Sequence, residues 1–329
     1  MESYGLVTYP GILNGKAFSM SGTRSFNYIK SVEIDYGGKL ETNFNRVYQV
    51  PEKTAGGEIV VVPVKSSTVW KDRTDWINWC LIEEINIGDN YISVDMYKSY
   101  NSLDTPSGYS TKIHIYEAMP ATSNNSYGLF INDATDYTLI NEISKLGYVV
   151  HKDTVWINGD YALPTNTPNK NSQIVLANWN DPNAVLEYVE GENKIISNGV
   201  GVFVNILIAQ SGFSPAVEIG GYGIVMWNSM GDVVLSNRWP PMISHVFCNS
   251  GITPQSLPYN MTMVSLGRYG CFFKGSYPHR AFNGGLKMSN GEISVAAGSY
   301  ISEGNHKGTM PSDIAVRCPI IAVDGGKYF

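Results

Sequence analysis

Almost nothing in these 329 residues repeats at helical spacing. The chain instead breaks into short runs rich in Val, Ile, Tyr and Thr, separated by Gly, Asn, Pro and Ser. Examples are "GEIVVVPV", "NYISVDMY", "TKIHIYEA", "GVFVNILIAQ" and "GEISVAAGSY". β-branched and aromatic residues fit a pleated, half-buried surface. Many short strands with turn signals between them indicate sandwiches or barrels. The expected fold is therefore mainly β. Two stretches are ambiguous. "TDWINWCLIEEI" at 74–85 fits a short helix or a strand, and "DPNAVLEYVEG" at 181–191 can hold a helical turn after Pro182.

One opening is written three times: "YGLVTYPGILNGKAFS" from Tyr4, "YGLFINDATDYTLIN" from Tyr127 and "YGIVMWNSMGDVVLSN" from Tyr222. Each has Tyr-Gly, a strand-like run, a polar turn and a second apolar run ending in Ser or Asn. Two β-favouring runs about a Gly/Asn/Asp turn read as a hairpin. One residue of slack aligns Leu139 with Leu235, and a longer turn aligns Phe18-Ser19 with Leu235-Ser236. The recurrence predicts duplication. It gives three tandem antiparallel β-sandwich modules at 1–123, 124–219 and 220–329, with linker-like "MPATSNNS" and "QSGFSPAVEIGG" before the second and third starts. Protease is expected to cut near 121–126 and 212–221.

Charge narrows the function classes. Charged residues make up 16% of the chain, against roughly 25% in soluble domains. The formal net charge is -6 and Lys and Arg are scattered, which disfavours nucleic acid as a partner because binding it needs a concentrated basic footprint. The longest apolar run, at 200–209, is about half of a membrane-spanning helix. No insertion into a membrane is expected, and the N-terminus carries no signal-peptide pattern. The four cysteines, Cys80, Cys248, Cys271 and Cys318, lack zinc spacing and are expected as free, buried thiols.

Candidate chemistry is sparse. There is no nucleophile elbow, phosphate loop or HExxH, and the five histidines, His114, His151, His245, His279 and His306, show no metal spacing. No metal, cofactor or catalytic residue is expected, and the chain reads as a non-enzyme. Asp72 and Asp75 near Trp70, Trp76 and Trp79, followed by Glu83 and Glu84, suggest the carboxylates of a sugar-cleaving site. A tryptophan cluster is more often core, however, and adjacent Glu83 and Glu84 point to opposite faces of a strand. The loop "GSYPHRAFNGG" gathers Tyr277, His279, Arg280 and Phe282, which are the candidate binding residues.

The repeated Tyr-Gly opening resembles the hairpin that begins minor tail and tail-fibre proteins of long-tailed bacteriophages of enterobacteria. It covers about fifteen residues per copy. The resemblance implies a structural component of a tail tip or fibre, active in virion assembly and host attachment. Such a protein is made in the host cytoplasm and located in the virion. The alternatives are a receptor-binding protein gripping a host glycan or outer-membrane protein and, third, a polysaccharide depolymerase. The implied partners are other tail proteins, copies of the chain itself in a trimer, and a host receptor. Few charges oppose association, and "PPMISHVF" at 240–247 and the loop around Tyr277 and Phe282 are the surfaces expected to be covered.

Overall fold

The computed structural model describes residues 7–8, 10–14, 17–19, 26–36, 43–72, 75–99, 110–118, 128–132, 137–141, 146–217, 224–227, 231–236, 238–242, 246–275, 278–306, 313–315 and 318–329. The chain is mainly β, with short 3-10 turns between antiparallel strands.

Residues 26–118 form two facing sheets. One has three strands in the order Phe26–Asp35, Ser110–Ala118, Glu58–Lys65, and the other has four, Asn43–Gln49, Tyr91–Lys98, Ile77–Ile87, Ser67–Lys71. The reason these residues make strands is visible in Tyr91–Lys98. Ile92, Val94, Met96 and Lys98 are buried and the residues between them are less so, the period-2 signature of a sheet with one face in the core. The ambiguous stretch at 74–85 is a strand, Ile77–Ile87, with Trp79 buried.

The strand Glu58–Lys65 departs from alternation because both its faces are covered. Ile59 and Val61 belong to the cluster holding Ile113, Ile115, Val94 and Met96. Val60 and Val62, with Tyr116, join Leu176, Leu207, Ile321 and Val323 in a second cluster. A strand buried on both faces reads as a continuous apolar run, and "IVVVPV" is one.

The C-terminal portion is built on a six-stranded and an eight-stranded sheet. The six-stranded order is Tyr148–Ile157, Val202–Gln210, Ile174–Asn178, Thr262–Ser265, Pro319–Asp324, Val246–Asn249. The eight-stranded sheet runs Asp160–Ala162, Lys194–Ser197, Val185–Val189, His279–Ser289, Gly270–Lys274, Asp313–Ala315; Glu292–Gly304 pairs with His279–Ser289, and Gln255–Ser256 with Glu292–Gly304. Both sheets cross the boundary expected at 219/220. Leu176 pairs with Ser265, and Leu186 with Leu286. The second and third expected modules are therefore not two separate sandwiches. Strands from one complete the sheets of the other, because each alone would leave an apolar strand edge unpaired.

The three repeated openings each form a small antiparallel pair of their own. The pairs are Val7–Thr8 with Phe18–Ser19, Gly128–Asn132 with Tyr137–Asn141, and Met226–Trp227 with Val233–Leu235. Thr8 and Met226 each lie four residues after their tyrosine, and Thr8 pairs with Phe18 as Met226 pairs with Leu235. The second copy is shifted by one, pairing Ile131 with Thr138.

Two smaller expectations also meet the structure. The four cysteines are free and buried, and burial pushes the thiols of Cys80, Cys271 and Cys318 well above the ordinary range. Directly after Pro182 there is no helical turn; within 181–191 one comes only at the end, the 3-10 turn that starts at Glu190. Asp181 Oδ1 accepts from the backbone N–H of Asn183 at 2.7 Å, a local turn, and the strand Val185–Val189 follows.

Candidate functional site

Of the four candidate binding residues, Tyr277 lies outside the described residues. The other three sit on the strand His279–Ser289, whose partners fix their directions. Arg280 is opposite Lys274 on one side and Glu303 on the other; Phe282 is opposite Phe272 and Tyr300. Arg280 and Phe282 are two residues apart and share the outer face. Ala281 and Asn283, between and beyond them, are buried. His279 falls on the alternate register and its Nδ1 lies 2.9 Å from the carbonyl oxygen of Gly275. The structure thus groups Arg280 with Phe282 and separates His279 from them.

The outer face carries two rungs. In one, the exposed Tyr300 meets Phe282 edge-on at 5.8 Å, with Phe272 on the next strand. In the other, Lys274, Arg280 and Glu303 follow across the same three strands. The ammonium of Lys274 stands 5.2 Å from the centre of the Phe282 ring, within cation–π range. Arg280 and Glu303 are 3.6 Å apart and largely exposed, so their pairing adds little to stability. Flat aromatic faces beside charged and hydrogen-bonding groups suit a polar ligand with apolar C–H faces. Tyr300, Phe272 and Lys274 lie on neighbouring strands, outside the loop "GSYPHRAFNGG", and the alternation in "GCFFKG" is their only local signal.

A second polar group sits where the three-stranded sheet meets the 3-10 turn Glu190–Glu192. Ser31 and His114 are directly opposed across the strands Phe26–Asp35 and Ser110–Ala118. Ser31 Oγ is 2.6 Å from His114 Nδ1, and His114 Nε2 is 2.8 Å from Glu190 Oε1. Glu190 Oε2 takes Lys112 Nζ at 2.5 Å, and the Tyr28 hydroxyl is 2.8 Å from Ser31 Oγ. The His114 side chain is 2% exposed. Burial alone raises the Glu190 pKa, but hydrogen bonds from His114 and Lys112 outweigh it and hold the carboxyl below its usual range. A recess of about 290 Å³ opens beside the group, lined by Tyr28, Ser31, Lys112, Tyr188 and Glu190 among others. These residues come from positions far apart in the chain, and no spacing rule finds them.

The carboxylates near the tryptophans do not converge. Asp72 Oδ1 accepts from the Trp76 backbone N–H at 3.0 Å and so closes a turn, while Trp70 and Trp79 are core. Glu83 and Glu84 are exposed. Among the described residues no group of three or more His, Cys, Asp or Glu is placed to hold a metal, and no helix is long and apolar enough to cross a membrane.

Comparison with curated proteins and with solved structures gave no match. A family profile, described as a family of unknown function (DUF6453), matches residues 12–306. With most of its length matched, the chain belongs to that family.

Proposed function

We propose that this protein is a structural component of a bacteriophage tail tip or tail fibre. The observation that carries the reading is the threefold Tyr-Gly opening, each copy of which pairs with itself and with no other strand among the described residues. Each pair stays outside the hydrogen-bond ladders of the large sheets, although the third packs Val234 and Leu235 into the core beside Tyr148; a recurring hairpin with its own pairing suits a repeated docking element. Sparse charge and exposed aromatics support extensive contact with partners: Trp156 is 55% and Phe203 66% exposed, side by side with ring centres 4.8 Å apart. Part of the segment at 240–247 fits the same picture, with Val246 and Phe247 exposed on an edge strand, whereas Pro240, Pro241 and Met242 are buried. The partners are other tail proteins and further copies of this chain, arranged as a trimer. The test is to purify virions of a phage carrying this gene, identify their proteins by mass spectrometry and locate this one by gold-labelled antibody. Signal at the distal tail supports the reading; absence from the virion overturns it.

A second reading, receptor binding, is favoured by the outer face with Tyr300, Phe282 and Phe272 beside Lys274 and Arg280. Aromatic faces stack on sugar rings, so the ligand is a host surface glycan. Purified protein is expected to bind host cells, and the double variant Phe282→Ala/Tyr300→Ala to lose binding while melting at nearly the same temperature. Equal binding by the two proteins rejects it.

A further inference from the structure

We propose that Ser31, His114 and Glu190 form a nucleophilic relay that hydrolyses short-chain carboxylic esters in the recess beside Ser31. A nucleophile, a base within hydrogen-bond reach and a third group orienting the base are the structural requirements for an activated serine, and the distances of 2.6 and 2.8 Å meet them. The arrangement needs one tautomer of the neutral ring. Nε2–H donates to Glu190 Oε1, leaving Nδ1 to accept the Ser31 proton. Lys112 holds the other oxygen of the same carboxylate, which fixes its orientation and keeps it ionised.

The site depends on both parts of the fold. Ser31 and His114 belong to the N-terminal pair of sheets, and Glu190 follows a strand of the eight-stranded sheet. The side chain of Glu190 is only 22% exposed, which favours a tight charge-assisted bond to the imidazole.

In the first step Ser31 Oγ bonds to the acyl carbon while its proton passes to His114 Nδ1. The Tyr28 hydroxyl, 2.8 Å from Oγ, is placed to turn to the developing oxyanion. The intermediate collapses, the acyl C–O bond breaks, and the departing alkoxide takes the proton from Nδ1 and leaves as an alcohol. Water then gives a proton to Nδ1 and attacks the acyl-serine. Ser31 Oγ recovers that proton and the carboxylic acid departs. The sum is ester plus water to alcohol plus acid, with no redox change and no cofactor.

The substrate class follows from the recess. Its volume of about 290 Å³ has room for a short acyl chain beside Ser31. The rim offers Lys170 and Asn171, polar groups that suit an alcohol carrying further hydroxyls. An ester is favoured over an amide because an alkoxide leaves more readily than an amide nitrogen.

The full-length protein is treated with a fluorophosphonate and digested, and the modified peptide is sequenced by mass spectrometry. Hydrolysis of p-nitrophenyl acetate is measured in parallel for the wild type, Ser31→Ala and Tyr28→Phe, each checked for an unchanged melting curve. The expected result is a phosphonate on Ser31, with hydrolysis reduced by about 100-fold or more in Ser31→Ala and less severely in Tyr28→Phe. Absence of the adduct on Ser31 overturns the proposal, and it does so without any variant having to fold. Wild-type hydrolysis equal to that of a well-folded Ser31→Ala also overturns it and assigns the group to structure alone. Neither result bears on the place of the protein in a virion.

Discussion

Oε2 of Glu187 lies 2.9 Å from Nε of Arg268, and the Glu187 side chain is 1% exposed. The backbone N–H and the hydroxyl of Ser299 donate to the same carboxylate. Arg268 in turn presents its carbonyl to the backbone N–H and the hydroxyl of Ser66, both at 2.8 Å. One buried ion pair therefore links the strand Val185–Val189, the segment after Thr262–Ser265 and the N-terminal sheets. Removing one partner of a buried pair strands the other charge. Glu187→Ala is expected to cost about 3 kcal/mol in urea unfolding. Gly298→Ala should act on the same carboxylate, because a Cβ there would stand 2.1 Å from Glu187 Oε1. A loss below about 1 kcal/mol for Glu187→Ala would show that the pair behaves as an exposed one.

Acid should weaken the junction at Glu190. Its carboxyl is held below its usual pKa, the hydrogen bonds from His114 and Lys112 exceeding the opposing effect of burial. A carboxylate with a depressed folded-state pKa stabilises the fold above the unfolded-state value, about 4.3. That contribution is lost as the pH falls through the folded-state value. Melting temperatures between about pH 3 and pH 7 are expected to fall toward acid, and Glu190→Gln to show a shallower fall in that window. Parallel curves for the two proteins would remove Glu190 from the account.

Cutting the chain between its second and third repeats should not separate the pieces. Protease is expected to nick within 212–221, yet Leu176 stays paired with Ser265 and Leu186 with Leu286. The nicked protein should run as one species on native size exclusion and give two fragments only under denaturing conditions. Residues 220–329 expressed alone should show no cooperative melting, since Met263, Val264, Leu286 and Val295, all buried in the whole chain, would lose their cover. A well-folded isolated fragment would contradict the shared sheets.

What the sequence reveals is what neighbouring residues decide. Alternation at Ile92, Val94 and Met96 announces a half-buried strand, and the Tyr-Gly opening announces a hairpin at all three places. What it hides is partnership at a distance. Nothing near Leu176 names Ser265, so equal repeats imply equal modules where the sheets are in fact shared. The outer face around Phe282 was half legible: Arg280 and Phe282 are neighbours in sequence, whereas Tyr300 and Lys274 arrive only through strand pairing. Glu187 leaves a trace, a lone acid inside the apolar run "VLEYV". For Ser31, His114 and Glu190 the only comparable trace is a histidine inside the apolar strand "TKIHIYEA".

The shared sheets also set the order in which the protein is completed. The strand Ile174–Asn178 emerges from the ribosome well before Thr262–Ser265, its neighbour, and Thr262–Ser265 must wait in turn for Pro319–Asp324. At roughly 5–20 residues per second, translation needs on the order of 5–20 s to span the gap between Leu176 and Ser265. Through that time the nascent chain presents an apolar strand with an open edge, the feature most prone to pair with another copy. Such high contact order predicts slow folding and a demand for chaperones that grows with the rate of expression.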